Sequence, residues 1–220
     1  MFHRILELLF PSKCILCGRI LRKNELDLCR QCRIDSPEYP GEKKKYSYLD
    51  SHVALWYYSG NARRSILRFK FGNRRSYAQG YGRLLALKLQ QRYPEGIDIL
   101  TWVPVSDKRK RKRGYDQVEL LAEAVGREMG IAPTSMLKKI RHNRAQSGVR
   151  GEAARRANVL GAYVVTDPQL AAGRKILLLD DVITTGATAG ECARVLLTAG
   201  ATEIHCGAIA VSASSQKMSR

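Results

Sequence analysis

Residues 176–188 read Ile-Leu-Leu-Leu-Asp-Asp-Val-Ile-Thr-Thr-Gly-Ala-Thr. An unbroken apolar run followed by a helical pattern belongs to a strand covered on both faces, the mark of a largely parallel sheet in an α/β fold. The run ends in two adjacent acids and then a small-residue loop. Small residues let backbone N–H groups converge on an anion, and the helix N-terminus that follows adds its dipole. Thr184, Thr185 and Thr188 bring hydroxyl donors, and Gly186 allows close approach, with Ala187 also small. Carboxylates placed before such a cradle repel phosphate unless they take hydroxyls or Mg²⁺. The pairing suits a sugar phosphate, its phosphate on residues 184–188 and its hydroxyls on Asp180 and Asp181. The competing reading is a strand end whose acids merely neighbour a helix cap.

The flanking sequence alternates strand, loop and helix from about residue 97. Strands are expected at Ile97–Val105, Asn158–Val165, Lys175–Leu179 and Glu203–Val211, and helices at Gln117–Met129 and Cys192–Thr198. Upstream, His52–Tyr58 reads as a strand, and Asn61–Phe71 and Tyr77–Tyr93 as helices. Ligands of open parallel sheets sit at the carboxyl ends of strands, so the loops from Pro104 and from Asp180 should share a crevice. Residues 108–113 (Lys-Arg-Lys-Arg-Lys-Arg) read as a basic loop there, able to neutralise a phosphate-bearing ligand. Arg109 and Arg113 are assigned to that ligand, and Lys108, Lys110, Arg111 and Lys112 to solvent or nucleic acid. Residues 142–157 carry little apolar content and read as a mobile lid. Arg144, Arg150 and Arg155 are its candidates for reaching an anion in the crevice, against a plain surface loop.

The N-terminal part is organised differently. Phe2, Ile5, Leu6 and Leu9 have helical spacing before Pro11. Cys14-x2-Cys17 and Cys29-x2-Cys32 form two knuckles separated by eleven residues. Four thiolates suit tetrahedral, structural Zn²⁺ with no open position, whereas disulfides or a redox pair are the alternatives. Metal binding, worth roughly 10–16 kcal/mol, would hold a segment with little core. Cys192 and Cys206 read as buried small hydrophobes. Two prolines, a glycine and Lys43–Lys45 mark 36–50 as a linker. The domain reading is therefore 1–35, an N-terminal helix with the zinc module; 36–50, a linker; and 51–220, the α/β domain. The tail from Ser212 reads as frayed.

Charge narrows the class of partner. The 220 residues carry 38 Lys+Arg and 20 Asp+Glu, a net +18. Residues 51–150 alone hold 21 basic and 7 acidic side chains, an excess of 14. Such a field favours polyanions, although a solvated basic face would also account for it. Arg63, Arg64, Arg68 and Lys70, interleaved with Phe69 and Phe71 and preceded by Trp56, Tyr57 and Tyr58, could stack bases and track a backbone. Core packing is the alternative for these aromatics. No apolar run approaches the roughly 18–20 residues of a membrane span. Arg4 and Glu7 interrupt the first apolar stretch, so a soluble, cytoplasmic protein is expected.

Residues 176–188 resemble the phosphoribosyl-pyrophosphate (PRPP) motif of type I phosphoribosyltransferases. Together with the cysteine knuckles, the chain resembles the ComF family of competence-related proteins, including ComFC and GntX-like members. Val103-Pro104 through Arg109, Arg113-Gly114-Tyr115-Asp116-Gln117 is similar to its pyrophosphate-loop region. Gln146 with Arg155-x2-Asn158-Val159 is similar to its flexible-loop segment, and Leu8–Cys17 to the start of its zinc module. Tyr115, Asp116, Asn143 and Val149 depart from the commoner Phe, Asn, Thr and Leu, and the acid at 116 leaves its role open. The resemblance implies a phosphoribosyltransferase fold with a zinc-ribbon-like module. It also implies ribose hydroxyls on Asp180 and Asp181, directly or with Mg²⁺, and the 5′-phosphate on 184–188.

Two functions follow from the resemblance. One is a PRPP-binding, nucleic-acid-handling protein that takes single-stranded DNA during uptake, with other DNA-uptake proteins as partners. The other is an active phosphoribosyltransferase moving ribose 5-phosphate from PRPP to an acceptor that the sequence does not identify.

Overall fold

The structure is a computed structural model, and it describes residues 11–36, 38–41, 44–141 and 152–213. The helix expected at 2–10 and residues 214–220 of the tail lie outside the described residues. In chain order the elements are α1 (Arg30–Asp35), β1 (Ser51–Tyr57), α2 (Gly60–Phe71), α3 (Tyr77–Arg92), β2 (Ile99–Trp102), α4 (Asp107–Arg113) and α5 (Gln117–Met129). Then come β3 (Leu137–Lys139), α6 (Glu152–Val159), β4 (Tyr163–Val165), α7 (Pro168–Ala171), β5 (Lys175–Ile183), α8 (Ala187–Thr198) and β6 (Glu203–Val211).

The apolar strands form one sheet in the order β1-β6-β5-β2, every neighbouring pair parallel. β3 and β4 form a separate antiparallel pair. The central strands β5 and β6 are buried from their second residue to their last, as their lack of alternation requires. Two cores result. Leu177 and Leu179 pack with Ile66, Phe69, Tyr81, Leu121 and Val125 of α2, α3 and α5. Ile176 and Leu178 pack with Cys192, Leu196, Met136 and Tyr163 on the other face.

Several expected boundaries move. The apolar start of 158–165 is not strand: α6 runs to Val159, and Gly161, at φ 66°, turns the chain into β4. β3 escaped notice because Leu-Lys-Lys shows no alternation over its three residues. The basic stretch 108–113 is helix α4, not loop. Straight-chain Lys and Arg are good helix formers, and Asp107 and the terminal bases suit the two ends of the helix dipole. Gly114, left-handed at φ 75°, stops it. Of the expected lid, 142–151 lie outside the described residues, while 152–159 are helical.

Residues 11–35 share the first core instead of standing apart. Ile15, Leu16 and Leu28 are buried against α2 and α3. Asp27 takes two hydrogen bonds from Arg83 of α3, one of them from Nε at 3.0 Å. α3 lies so close that a Cβ on Gly80 would stand 2.8 Å from Asp27 Oδ1. The segment read as a linker is also packed down. Tyr39 and Tyr46 are buried, and Tyr39 N–H donates to Leu55 of β1. Asp50 N–H donates to Ile204 of β6.

Candidate functional site

β2 is the shorter partner of β5, and this opens the crevice. The register ends with Trp102 opposite Leu179, and Val103 N–H donates to Leu179 O at 2.9 Å. From Asp180 onward β5 keeps a parallel neighbour only in β6. The loop 103–106 and the acid pair thus lie side by side at the carboxyl end of the sheet, as parallel pairing demands.

Strand alternation sends the two acids to opposite faces. Asp181 points into the α2/α5 side. Lys70 Nζ lies 2.8 Å from its Oδ1, and Gln117 Nε2 donates to its Oδ2 at 2.8 Å. Gln117 in turn accepts from Arg113 Nη1 at 2.6 Å. Asp180 faces the α8 side, in the field of Cys192, Cys206, Lys139 and Tyr163. One of its oxygens accepts the Asp181 N–H at 2.7 Å. Burial, and then the neighbouring Asp181, pushes the Asp180 carboxyl up to about 8.

After Ile183 the chain passes through Thr184 and Thr185 into Gly186, the N-cap of α8. Gly186 is left-handed at φ 77°, and a Cβ there would stand 2.2 Å from Tyr46 Cδ1. Only glycine meets both demands. Residues 44–48, Thr185, Gly186, Ala187, Glu191 and Arg194 line a cavity of about 350 Å³ with the end of α6. Glu191 is buried there, held by Arg194 at 2.8 and 2.9 Å and by the Gly161 N–H at 2.8 Å. Thr188 stands on the first turn of α8 with Ala187.

Helix α4 sorts its bases by face. Arg109 and Arg113, four residues apart, are half-buried, whereas Lys108, Lys110, Arg111 and Lys112 are exposed. Lys110 pairs with Glu119 at 2.7 Å. Asp116, the residue without an assigned role, caps α5. Its Oδ1 accepts from Val118 and Glu119 N–H at 2.9 and 3.3 Å, and its Oδ2 from Val105 N–H at 3.0 Å. It therefore ties the 103–106 loop to α5. Lys139, on β3, donates to Tyr163 Oη at 3.0 Å, and burial pulls its ammonium down to about 8. Arg155 is half-buried on α6, and Arg144 and Arg150 lie outside the described residues.

Two residues assigned to a nucleic-acid face are engaged elsewhere. Lys70 reaches into the crevice, and Arg68 donates to Leu16 O, bracing the cysteine module. Arg63 and Arg64 are exposed on α2. Trp56 and Phe69 belong to the core, at 3% and 0% exposure, while Phe71 stays on the surface. The role of Lys70 had one sequence signal. It follows Phe69 and stands four residues after Ile66, on the border of α2's buried stripe.

The four knuckle cysteines bring their sulfurs within 4.8 Å of one another. Cys17 and Cys29 Sγ are 3.7 Å apart, close to the edge of about 3.8 Å that a tetrahedron with 2.3 Å Zn–S bonds requires. Asn61 Nδ2, from the first turn of α2, approaches Cys32 Sγ at 3.9 Å. The donor set fits structural zinc.

An acid pair at the free edge of a parallel strand, leading through a left-handed glycine into a helix, is the arrangement of a phosphoribosyltransferase fold. The phosphoribosyl transferase domain model matches residues 103–220, and the double zinc ribbon domain model matches residues 5–42. The chain belongs to the phosphoribosyl transferase domain family and, with its zinc module, to the ComF type within it. Curated relatives match it over most of their length. "Competence protein F" of Haemophilus influenzae is 28% identical over 89% of this chain and 95% of its own length. "Competence protein ComFC" of Streptococcus pneumoniae is 29% identical over 87% and 96%. "DNA utilization protein YhgH" of Escherichia coli K12 is 28% identical over 87% of each. No helix among the described residues is long and apolar enough to cross a membrane.

Proposed function

We propose that this chain binds PRPP in the crevice and single-stranded DNA on its basic surface, in a ComF-type role in DNA uptake. The observation that carries the reading is the acid pair standing directly before the Thr184–Thr188 loop at the free edge of β5. In this reading the backbone N–H groups of residues 184–188 take the 5′-phosphate. Arg109 and Arg113 face the pyrophosphate, and Arg144, Arg150 and Arg155 reach it from the 142–157 segment. Asp180 takes a ribose hydroxyl. Both oxygens of Asp181 are already held by Lys70 and Gln117, so its part is to fix the floor of the crevice. Asp180 is the carboxylate that would meet Mg²⁺ bound with the pyrophosphate, and the ion would screen the pyrophosphate charge. The named relatives concern competence and DNA utilization, which supports DNA as the polyanion. Arg63, Arg64, Lys108, Arg111 and Lys112 are the exposed contacts, with Lys110 beside them.

Transfer of ribose 5-phosphate to an acceptor is the second reading. The Asp180 carboxyl, pushed up to about 8 by burial and by Asp181, supports a group able to hold a proton during such a step.

Calorimetric titration with PRPP and Mg²⁺ tests the pocket, Asp180→Asn being expected to weaken binding at least tenfold. Undiminished binding by that variant would reject the assigned site. For DNA, the affinity of a short single strand should fall with salt at a log-log slope of about −0.7 per phosphate contacted. A flat response would remove the DNA part.

A further inference from the structure

α2 ends in an aromatic that the fold does not cover. Phe71 is 68% exposed and begins a run of six exposed residues, 71–76, that includes Arg74 and Arg75. The guanidinium of Arg113 lies over its ring at 4.8 Å from the centroid. With that cation in place the ring still has most of its surface in water. Beside it, the Arg75 guanidinium lies 4.8 Å from the centroid of Tyr115. Residues 60–75 hold six basic side chains and no acid, and Lys108, Arg111 and Lys112 are exposed on α4.

We infer that Phe71 and Arg113 form a nucleobase-stacking platform at the rim of the crevice, its occupant an unpaired base of a single strand. The inference rests on the nucleic-acid part of the proposed function and names the residues that would read a base. An aromatic face next to a guanidinium stacks any base, and separate surface cations neutralise the backbone on either side. An acidic peptide would need the cations alone, and a lipid surface would take the ring as an apolar wedge, a use that the guanidinium laid over its face opposes. The platform is also coupled to the crevice. Arg113 donates to Gln117, which donates to Asp181, so a base on Phe71 lies one side chain away from the acid pair's supports.

The test is fluorescence anisotropy with a labelled oligothymidylate and an abasic strand of the same length, across a salt series. Phe71→Ala, at an exposed position, should weaken the base-bearing strand by roughly 5- to 150-fold and leave the abasic strand unchanged. Its salt slope should match that of the parent protein, because no charge is lost. Phe71→Trp should restore binding. If Phe71→Ala binds both strands like the parent, the platform is wrong and the face reads charge alone. If the parent binds neither strand, the DNA reading itself falls and takes this inference with it.

Discussion

Lys70 Nζ and Asp181 Oδ1 are 2.8 Å apart, at side-chain exposures of 18% and 9%. A cation at the end of one helix thereby holds the second acid of the PRPP-type motif from behind. Breaking a pair this buried leaves a charge without its partner, which costs more than the pair contributes. Lys70→Met should therefore lower stability by about 3 kcal/mol in urea unfolding, and Lys70→Arg should keep most of it. In the double variant with Asp181→Asn, the losses should fall short of additivity by about 0.5–3 kcal/mol. Strict additivity would mean that the two residues act independently.

Asp180 makes stability depend on pH in an unusual direction. Its folded-state pKa is about 8, above the ordinary 3.8. Between those values the native state holds the proton more often than the unfolded chain, so stability falls as pH rises. Asp180→Asn removes this loss. Its melting temperature should exceed the parent's by a few degrees near pH 9, and the two should converge near pH 4. A difference that is constant across pH would rule out the carboxyl as its cause.

Gly186 joins a left-handed backbone to contact with Tyr46. Gly186→Ala should cost about 2 kcal/mol or more, since it meets both strain and overlap. It should also abolish PRPP binding by displacing the loop. Adding Tyr46→Ala relieves the overlap and leaves the φ penalty, so the double variant should recover only part of the melting temperature. Full recovery would show that the backbone demand is unimportant.

The zinc module shares its apolar packing with α2 and α3. Zinc stoichiometry should be one per chain. Chelation, or Cys32→Ser, should lower the main calorimetric transition by several degrees instead of melting a separate unit. Two resolved transitions would contradict the common core.

Much of this was legible in residue order. β5 announced itself as an almost wholly apolar run and β6 as the last strand, and Gln117–Met129 read as helix α5, whereas the capping role of Asp116 was not visible. The knuckle spacing specified four converging sulfurs. What stayed hidden depended on contacts distant in sequence. Lys70 looks like any other base among six until α2 packs beside β5, and Tyr46 looks like linker until it lies on Gly186. α4 was misread because a run of like charges has no apolar face to reveal its period, yet each of its residues is a good helix former. β3 is too short to carry a pattern of its own.

Helix α2 touches a zinc-ligand sulfur through Asn61 at one end and the crevice carboxylate through Lys70 at the other. Nine residues of α-helix separate those contacts by about 14 Å, and a two-ended strut of that length moves as one piece. The cysteine cluster and the crevice carboxylate are therefore held by one and the same helix. The knuckles then serve as the anchorage against which the crevice keeps its dimensions.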